Sequence, residues 1–122
     1  MTLVDTSVWI DHLERDVSQM RNLLLGQDVV MHPFIAGELA MGNLKPRRQI
    51  LAYLQKLPSV VTVRPDEVLA FVEANRLHGK GIGYVDAHLL ASVRVTPGCD
   101  FWTRDKRLRA AATDLGIASP LS

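Results

Sequence analysis

Short apolar and β-branched runs alternate with longer stretches of helical period along this chain, and that alternation leaves few folds open. Leu3-Val4, Val29-Val30-Met31, Val60-Val61-Thr62-Val63 and Cys99-Asp100-Phe101-Trp102-Thr103 read as strands, with Gly116-Ile117-Ala118 as a short fifth. Helices are expected from about Ser7 to Glu14, Val17 to Leu25, Phe34 to Met41, Pro46 to Leu57, Arg64 onward with Val68, Leu69, Val72 and Leu77 as its apolar stripe, Tyr84 to about Val93, and Arg104 to about Leu115. Prolines punctuate this series: Pro33 and Pro46 suit first helical turns, and Pro58 ends a helix. Strands separated by helices pair in parallel, and a parallel sheet is covered on both faces. The expected fold is α/β, a three-layer α/β/α arrangement around a central parallel sheet of four to five strands, with residues 1–122 forming a single domain. The glycine-rich stretch His78-Gly79-Lys80-Gly81-Ile82-Gly83 follows no strand, so it reads as a connection between helices rather than a phosphate cradle.

Of the 122 residues, 48% are hydrophobic and 22% charged, enough for a real core and too ordered in composition for a disordered chain. The formal net charge is +1, so bulk charge alone does not mark a nucleic-acid binder. A single cysteine, Cys99, excludes an internal disulfide, argues against a Cys/His zinc site, and points to a reducing cytoplasm. The first residues carry neither a basic nor a long apolar segment, so no signal peptide is expected, and no run is long enough to span a bilayer.

Four acids stand at related places in this pattern. Asp5 ends the first strand, and Glu38 lies in the largely apolar helix after the second. Asp86 stands near the start of another apolar helix, Tyr84-Val85-Asp86-Ala87-His88-Leu89-Leu90-Ala91, and Asp105 follows the fourth strand. Each has an ordinary explanation. Asp5 and Asp105 suit helix N-caps, with Thr103 an equal candidate for the last cap. Asp86 suits a helix dipole, and Glu38 suits one wet face of its helix or an arginine partner. In a parallel sheet, however, the carboxyl ends of all strands lie on one edge, where ligands bind. Carboxylates gathered there repel unless a cation sits among them. Oxygen donors favour Mg²⁺ or Mn²⁺, ions that activate water for phosphodiester hydrolysis.

Leu3-Val4-Asp5-Thr6-Ser7-Val8-Trp9-Ile10, Gly37-Glu38-Leu39-Ala40-Met41-Gly42, Tyr84-Val85-Asp86-Ala87-His88-Leu89-Leu90-Ala91 and Thr103-Arg104-Asp105 together resemble the motifs of the PIN-domain family. They are most similar to those of the VapC-type ribonuclease toxins of bacterial toxin–antitoxin modules. The resemblance spans essentially the whole chain, and its last motif is the loosest. It implies a Mg²⁺- or Mn²⁺-dependent endoribonuclease acting on RNA such as tRNA, rRNA or mRNA. It further implies a cognate VapB-type antitoxin that blocks the site, and a homodimer or a hetero-oligomer with that antitoxin. By the same resemblance Asp5 and Asp86 match the principal metal ligands, and Glu38 and Asp105 the third and fourth acids. Thr6 and Thr103 match supporting hydroxyls. Asp100 competes with Asp105 for the last place.

RNA binding needs cations near these acids. Lys45-Pro46-Arg47-Arg48 and Arg104-Asp105-Lys106-Arg107-Leu108-Arg109 qualify, with Lys45, Arg47, Arg104, Lys106 and Arg107 the named candidates and Arg76, His78 and Lys80 a third group. A solvated helix face explains such runs equally well. Trp9 and Trp102 have apolar flanks, so core or dimer packing is expected of them before base stacking. Trp9, Leu13 and Met20 are also candidates for an exposed partner surface. The expected chemistry is direct attack of a metal-activated water, leaving a 5′-phosphate and a 3′-hydroxyl. A signalling receiver would need an acid pair after the first strand and a lysine after the last, and neither is visible. An aspartyl phosphatase would need an acid where Ser7 stands. The alternative that remains is a non-catalytic RNA-binding or scaffolding domain of the same fold.

Overall fold

The computed structural model describes residues 1–121. Strands β1 (Thr2–Val4), β2 (Val29–Val30) and β3 (Asp100–Trp102) form one sheet in the order β2-β1-β3, with both pairings parallel. The helices are α1 (Thr6–Arg15), α2 (Ser18–Leu25), α3 (Pro33–Ala40), α4 (Arg47–Lys56), α5 (Pro65–Asn75), α6 (Tyr84–Val95) and α7 (Lys106–Asp114).

The sheet is smaller than the sequence suggests. Among the described residues it has three strands, not four to five, because only a single bridge forms at each outer candidate: at Ser59, just before residues 60–63, and at Ala118. Met31 pairs in parallel with Ser59, and Phe101 with Ala118. The Met31 N–H donates to the Pro58 carbonyl and the Val60 N–H to the Met31 carbonyl, after which the chain leaves the sheet. Val60 is buried but Val61 is 51% exposed, and its N–H donates to the Thr96 hydroxyl rather than to a neighbouring strand. A β-branched run without a partner along its length stays an extended connection. Ile117 and Ser119 likewise bond the Phe101 backbone, as acceptor and donor in turn, without extending into a strand.

Position in the sheet explains the burial of β1. It has a strand on each side, and Leu3 and Val4 are fully buried. Around them one cluster gathers Val8 and Trp9 of α1, Ile35 and Leu39 of α3, Leu89 and Leu90 of α6, Phe101 and Trp102 of β3, and Leu108 of α7. A smaller cluster of Val68, Ala87 and Ala91 seats α5 on α6.

Several side chains differ from expectation. Trp9 and Met20 are buried, so of the proposed surface residues of the first helices only Leu13 is exposed, joined by Ile10. Leu69 is 57% exposed, and α5 stops at Asn75, leaving Leu77 buried beyond its end. Arg76 stops that helix in the left-handed region. No helix among the described residues is long and apolar enough to cross a membrane.

Leu3→Ala removes a fully buried side chain from the central strand, and should cost about 2–5 kcal/mol in urea unfolding. A loss under about 1 kcal/mol would show that the core around β1 is looser than described.

Candidate active site

The switch from β1 to its two neighbours builds the site. β2 lies on one side of β1 and β3 on the other, and the crevice opens beyond their carboxyl ends. Asp5 is the first residue past β1, and its N–H donates to the Trp102 carbonyl at 2.9 Å. That bond ties the tip of β1 to the tip of β3. Thr103 and Asp105 therefore emerge beside Asp5 although they are distant in sequence.

Asp5 is only 8% exposed, a costly place for a carboxylate without donors. Three donors meet it. The Thr6 N–H reaches Oδ1 at 2.9 Å, and the Ser7 and Thr103 hydroxyls reach Oδ2 at 3.0 and 2.7 Å. Asp5 is thus the N-cap of α1 and a candidate site residue at once. The fully buried Thr103 hydroxyl also accepts from the Asp105 N–H at 3.1 Å, so one hydroxyl joins the two acids. Asp105 caps α7, its Oδ1 accepting from the Arg107 and Leu108 N–H groups. The sequence left Thr103 and Asp105 as equal candidates for that cap, and Asp105 takes it.

Glu38 comes from α3. That helix is not the buried element its composition suggests: it buries Ile35 and Leu39 and leaves Glu38 on an exposed face. The Thr6 hydroxyl donates to Glu38 Oε1 at 2.8 Å, linking α3 to the β1 tip. Asp86 comes from the first turn of α6, where its Oδ2 accepts the Gly83 N–H at 2.9 Å. Burial raises the Asp86 pKa above the ordinary 3.8. The Gly83 N–H opposes that rise, and the charges of Asp5, Asp105 and Glu38 add to it. All four acids therefore share one electrostatic neighbourhood.

Asp100 does not join them. The register pairs it with Thr2, at the opposite end of β1 from Asp5, and the Thr2 hydroxyl donates to it at 2.6 Å.

The donor set is made of oxygen alone: the four carboxylates and the hydroxyls of Thr6, Ser7 and Thr103. His32 and His88 are buried among aromatic rings. Burial, with His88 nearby, lowers the His32 pKa to about 4, and burial lowers that of His88, so both are neutral near pH 7. Among the described residues no three His, Cys, Asp or Glu side chains form a ready-made cage for one ion. Mg²⁺ rarely uses such a cage: it keeps several waters and takes one or two carboxylates directly. An all-oxygen site with mutually repelling carboxylates fits that kind of ion.

The basic candidates divide. Arg104 leans over the Trp102 ring, its Cζ 5.5 Å from the centroid, and pairs with Asp11 at 3.2 Å. Lys106 and Arg107 stand exposed on the first turn of α7. Arg107 also packs across Gly81, where an added Cβ would overlap its side chain and where φ is +76°. The glycine there lets the loop before α6 pass under α7. Lys45 borders a groove of about 400 Å³ that also touches Glu38, Ile10, Leu13 and Leu39. Arg47 has a structural task that the sequence did not reveal: it donates to the Ala40 and Gly42 carbonyls at the end of α3. Trp9 and Trp102 are core residues, 1% and 0% exposed. Sequence reading also passed over Ser7, whose hydroxyl both bonds Asp5 and accepts the Arg104 N–H. The signal was its place two residues after Asp5, at the start of a helix.

The PIN domain family model matches residues 2–114 of the chain. Ribonuclease VapC32 of Mycobacterium tuberculosis, from strain CDC 1551 / Oshkosh and from strain ATCC 25618 / H37Rv, is 46% identical over 118 residues. The match covers 97% of this chain and 95% of each relative.

Two outcomes follow from this geometry. Thr103→Val removes a buried donor to a carboxylate and should cost about 1.5–3 kcal/mol in denaturant unfolding, more than Thr6→Val at the exposed bond to Glu38. Asp86 binds its proton more tightly folded than unfolded, so ionising it lowers stability as pH rises from 3.8 through its raised folded value. In metal-free buffer Asp86→Asn should therefore melt above the parent protein at pH 7, with the difference shrinking as pH falls below that window. Equal melting temperatures at pH 7 would contradict the raised pKa of Asp86.

Proposed function

The chain belongs to the PIN-domain family, and from that premise we propose that it is a divalent-metal-dependent endoribonuclease, the VapC-type toxin of a toxin–antitoxin pair. The observation that carries this reading is the meeting of Asp5, Glu38, Asp86 and Asp105, from four separate segments, beyond the carboxyl edge of a parallel sheet. Near-full-length identity to a ribonuclease of that type supports it.

In this reading Asp5 and Asp86 are the principal ligands of Mg²⁺ or Mn²⁺, with Glu38 and Asp105 placed to hold it directly or through its waters. When bound, the ion supplies a water of lowered pKa and offsets charge on the phosphate oxygens. The chain itself supplies position. Thr6, Ser7 and Thr103 hold the Asp5 carboxylate in one orientation, so little reorganisation is needed when substrate arrives. Thr6 and Thr103 also set the spacing of Glu38 and Asp105 from Asp5. The exposed Lys106 and Arg107, with Arg104 and Lys45, contact phosphates on either side of the scissile bond and offset the repulsion of RNA by the acids. Arg47 contributes indirectly, by closing the end of α3. Cleavage by water gives a 5′-phosphate and a 3′-hydroxyl without a covalent enzyme intermediate.

The antitoxin is assigned the groove between α1, α3 and α4, lined by Ile10, Leu13, Leu39, Leu44 and Ile50 with Glu38 among its walls. A segment lying there reaches the acids, which suits a partner that blocks the site. Self-association into a homodimer, and action in the cytoplasm, complete the reading.

Purified protein should cut RNA with Mg²⁺ or Mn²⁺ and stop on chelation. Asp5→Asn and Asp86→Asn should each lose at least about a hundredfold in rate while remaining folded, the scale of removing a key charge-stabilising group. Full activity in either variant would rule this site out, and tight RNA binding without cleavage by the parent protein would favour the scaffolding alternative.

A further inference from the structure

Two large aromatic side chains stand in solvent without a core role. Phe34 is 41% exposed and Tyr84 is 50% exposed. They come from α3 and α6, the helices that deliver Glu38 and Asp86. Phe34 and Glu38 are four residues apart in α3, so ring and carboxylate are neighbours on one side of the helix. Tyr84 is the first residue of α6, two before Asp86.

The two rings are braced by a common support. His88 is 3% exposed, and it meets Tyr84 edge-on with centroids 4.7 Å apart and Phe34 edge-on at 5.0 Å. His32 meets Phe34 at 5.0 Å, and its Nδ1 accepts the Phe34 N–H. None of these contacts is a parallel stack. The histidines brace the rings while 41% of Phe34 and 50% of Tyr84 stay in water. Scattered exposed aromatics are ordinary. A braced pair bridging the two helices that carry site acids is a built surface.

We infer that Phe34 and Tyr84 form a stacking shelf for an unpaired nucleobase next to the scissile phosphate; the inference deepens the ribonuclease reading and rests on it. Nucleobases stack on aromatic side chains once they are free of their own neighbours. A phosphate held at the carboxylates carries an adjacent base toward α3 and α6. Trp9 and Trp102 cannot serve, because both are buried. The shelf makes the enzyme prefer unstacked nucleotides, in loops or single strands, and tolerate more than one base at that place, since every base has a π face.

Leucine at either position keeps apolar contact with His88 but removes the aromatic face, so Phe34→Leu and Tyr84→Leu test the shelf with the fold checked by thermal melting. The substrate is a single-stranded RNA oligonucleotide carrying the mapped cleavage site, with a matched set bearing one abasic nucleotide at each flanking position. Each leucine variant should raise KM on the intact oligonucleotide by about five- to a hundredfold, with kcat changed less, while Tyr84→Phe and Phe34→Tyr stay within about twofold. At one flanking position the abasic substrate should bring parent and leucine variants to the same KM, because the base that stacked is gone. Leucine variants with parental KM, or with equal losses on intact and every abasic RNA, would overturn the shelf and leave the ribonuclease standing. A parent protein that is folded, loaded with Mg²⁺ or Mn²⁺ and cuts no RNA overturns the ribonuclease reading, and the shelf with it.

Discussion

A carboxylate at the tip of a central strand has little water around it, and the protein answers with donors. Asp5 is 8% exposed and receives the Thr6 N–H and the Ser7 and Thr103 hydroxyls. The Thr103 hydroxyl is also an acceptor for the Asp105 N–H, so the charge at the end of β1 is mechanically coupled to the start of α7. Thr6 couples the same place to α3 through Glu38. Removing the Thr103 hydroxyl therefore loosens two acids at once. The network stands only because β1 has β3 as its direct neighbour, with Val4 beside Trp102.

The gathered acids conflict with the stability of the empty fold. Burial and three neighbouring carboxylates both disfavour the charged form of Asp86, and only the Gly83 N–H opposes them. Such local conflict is characteristic of sites that bind ions or do chemistry, where a ligand relieves what the chain alone leaves unfavourable. Positive charge is kept at the rim rather than among the acids. Arg104 is held aside by Asp11 and the Trp102 ring, and Lys106 and Arg107 face solvent. Cations inserted directly between the acids would neutralise the site and compete with a metal.

The acids were legible because each sits at a boundary that local pattern reveals: after an apolar run, or near the start of an apolar helix. Their caps were legible for the same reason, since a cap is a contact between residues close in sequence. Burial was less legible. An apolar eight-residue helix such as α3 reads as buried, yet it fully buries only Ile35 and Leu39 and leaves Phe34 and Glu38 in water. Trp9 and Met20 read as available for a partner, yet they fill the core. Arg47 reads as part of a basic cluster, yet its guanidinium closes the end of a helix. Val60-Val61-Thr62-Val63 has the composition of a strand, yet the one bridge there is made by the preceding Ser59. Except for Arg47, whose partners are five and seven residues away, the deciding neighbours lie far away in the chain.

By itself the sequence determined the order of the helices, the parallel α/β class, the family and the set of candidate acids, because periodicity, turn residues and short motifs are local. The tertiary structure alone decided that the sheet stops at three strands, that Asp100 faces away from Asp5, and that one threonine hydroxyl serves two acids. It also placed Phe34 and Tyr84 on a shared histidine beside the site. These are matters of register and packing, and contacts between distant segments exist only once the chain has closed around its central strand.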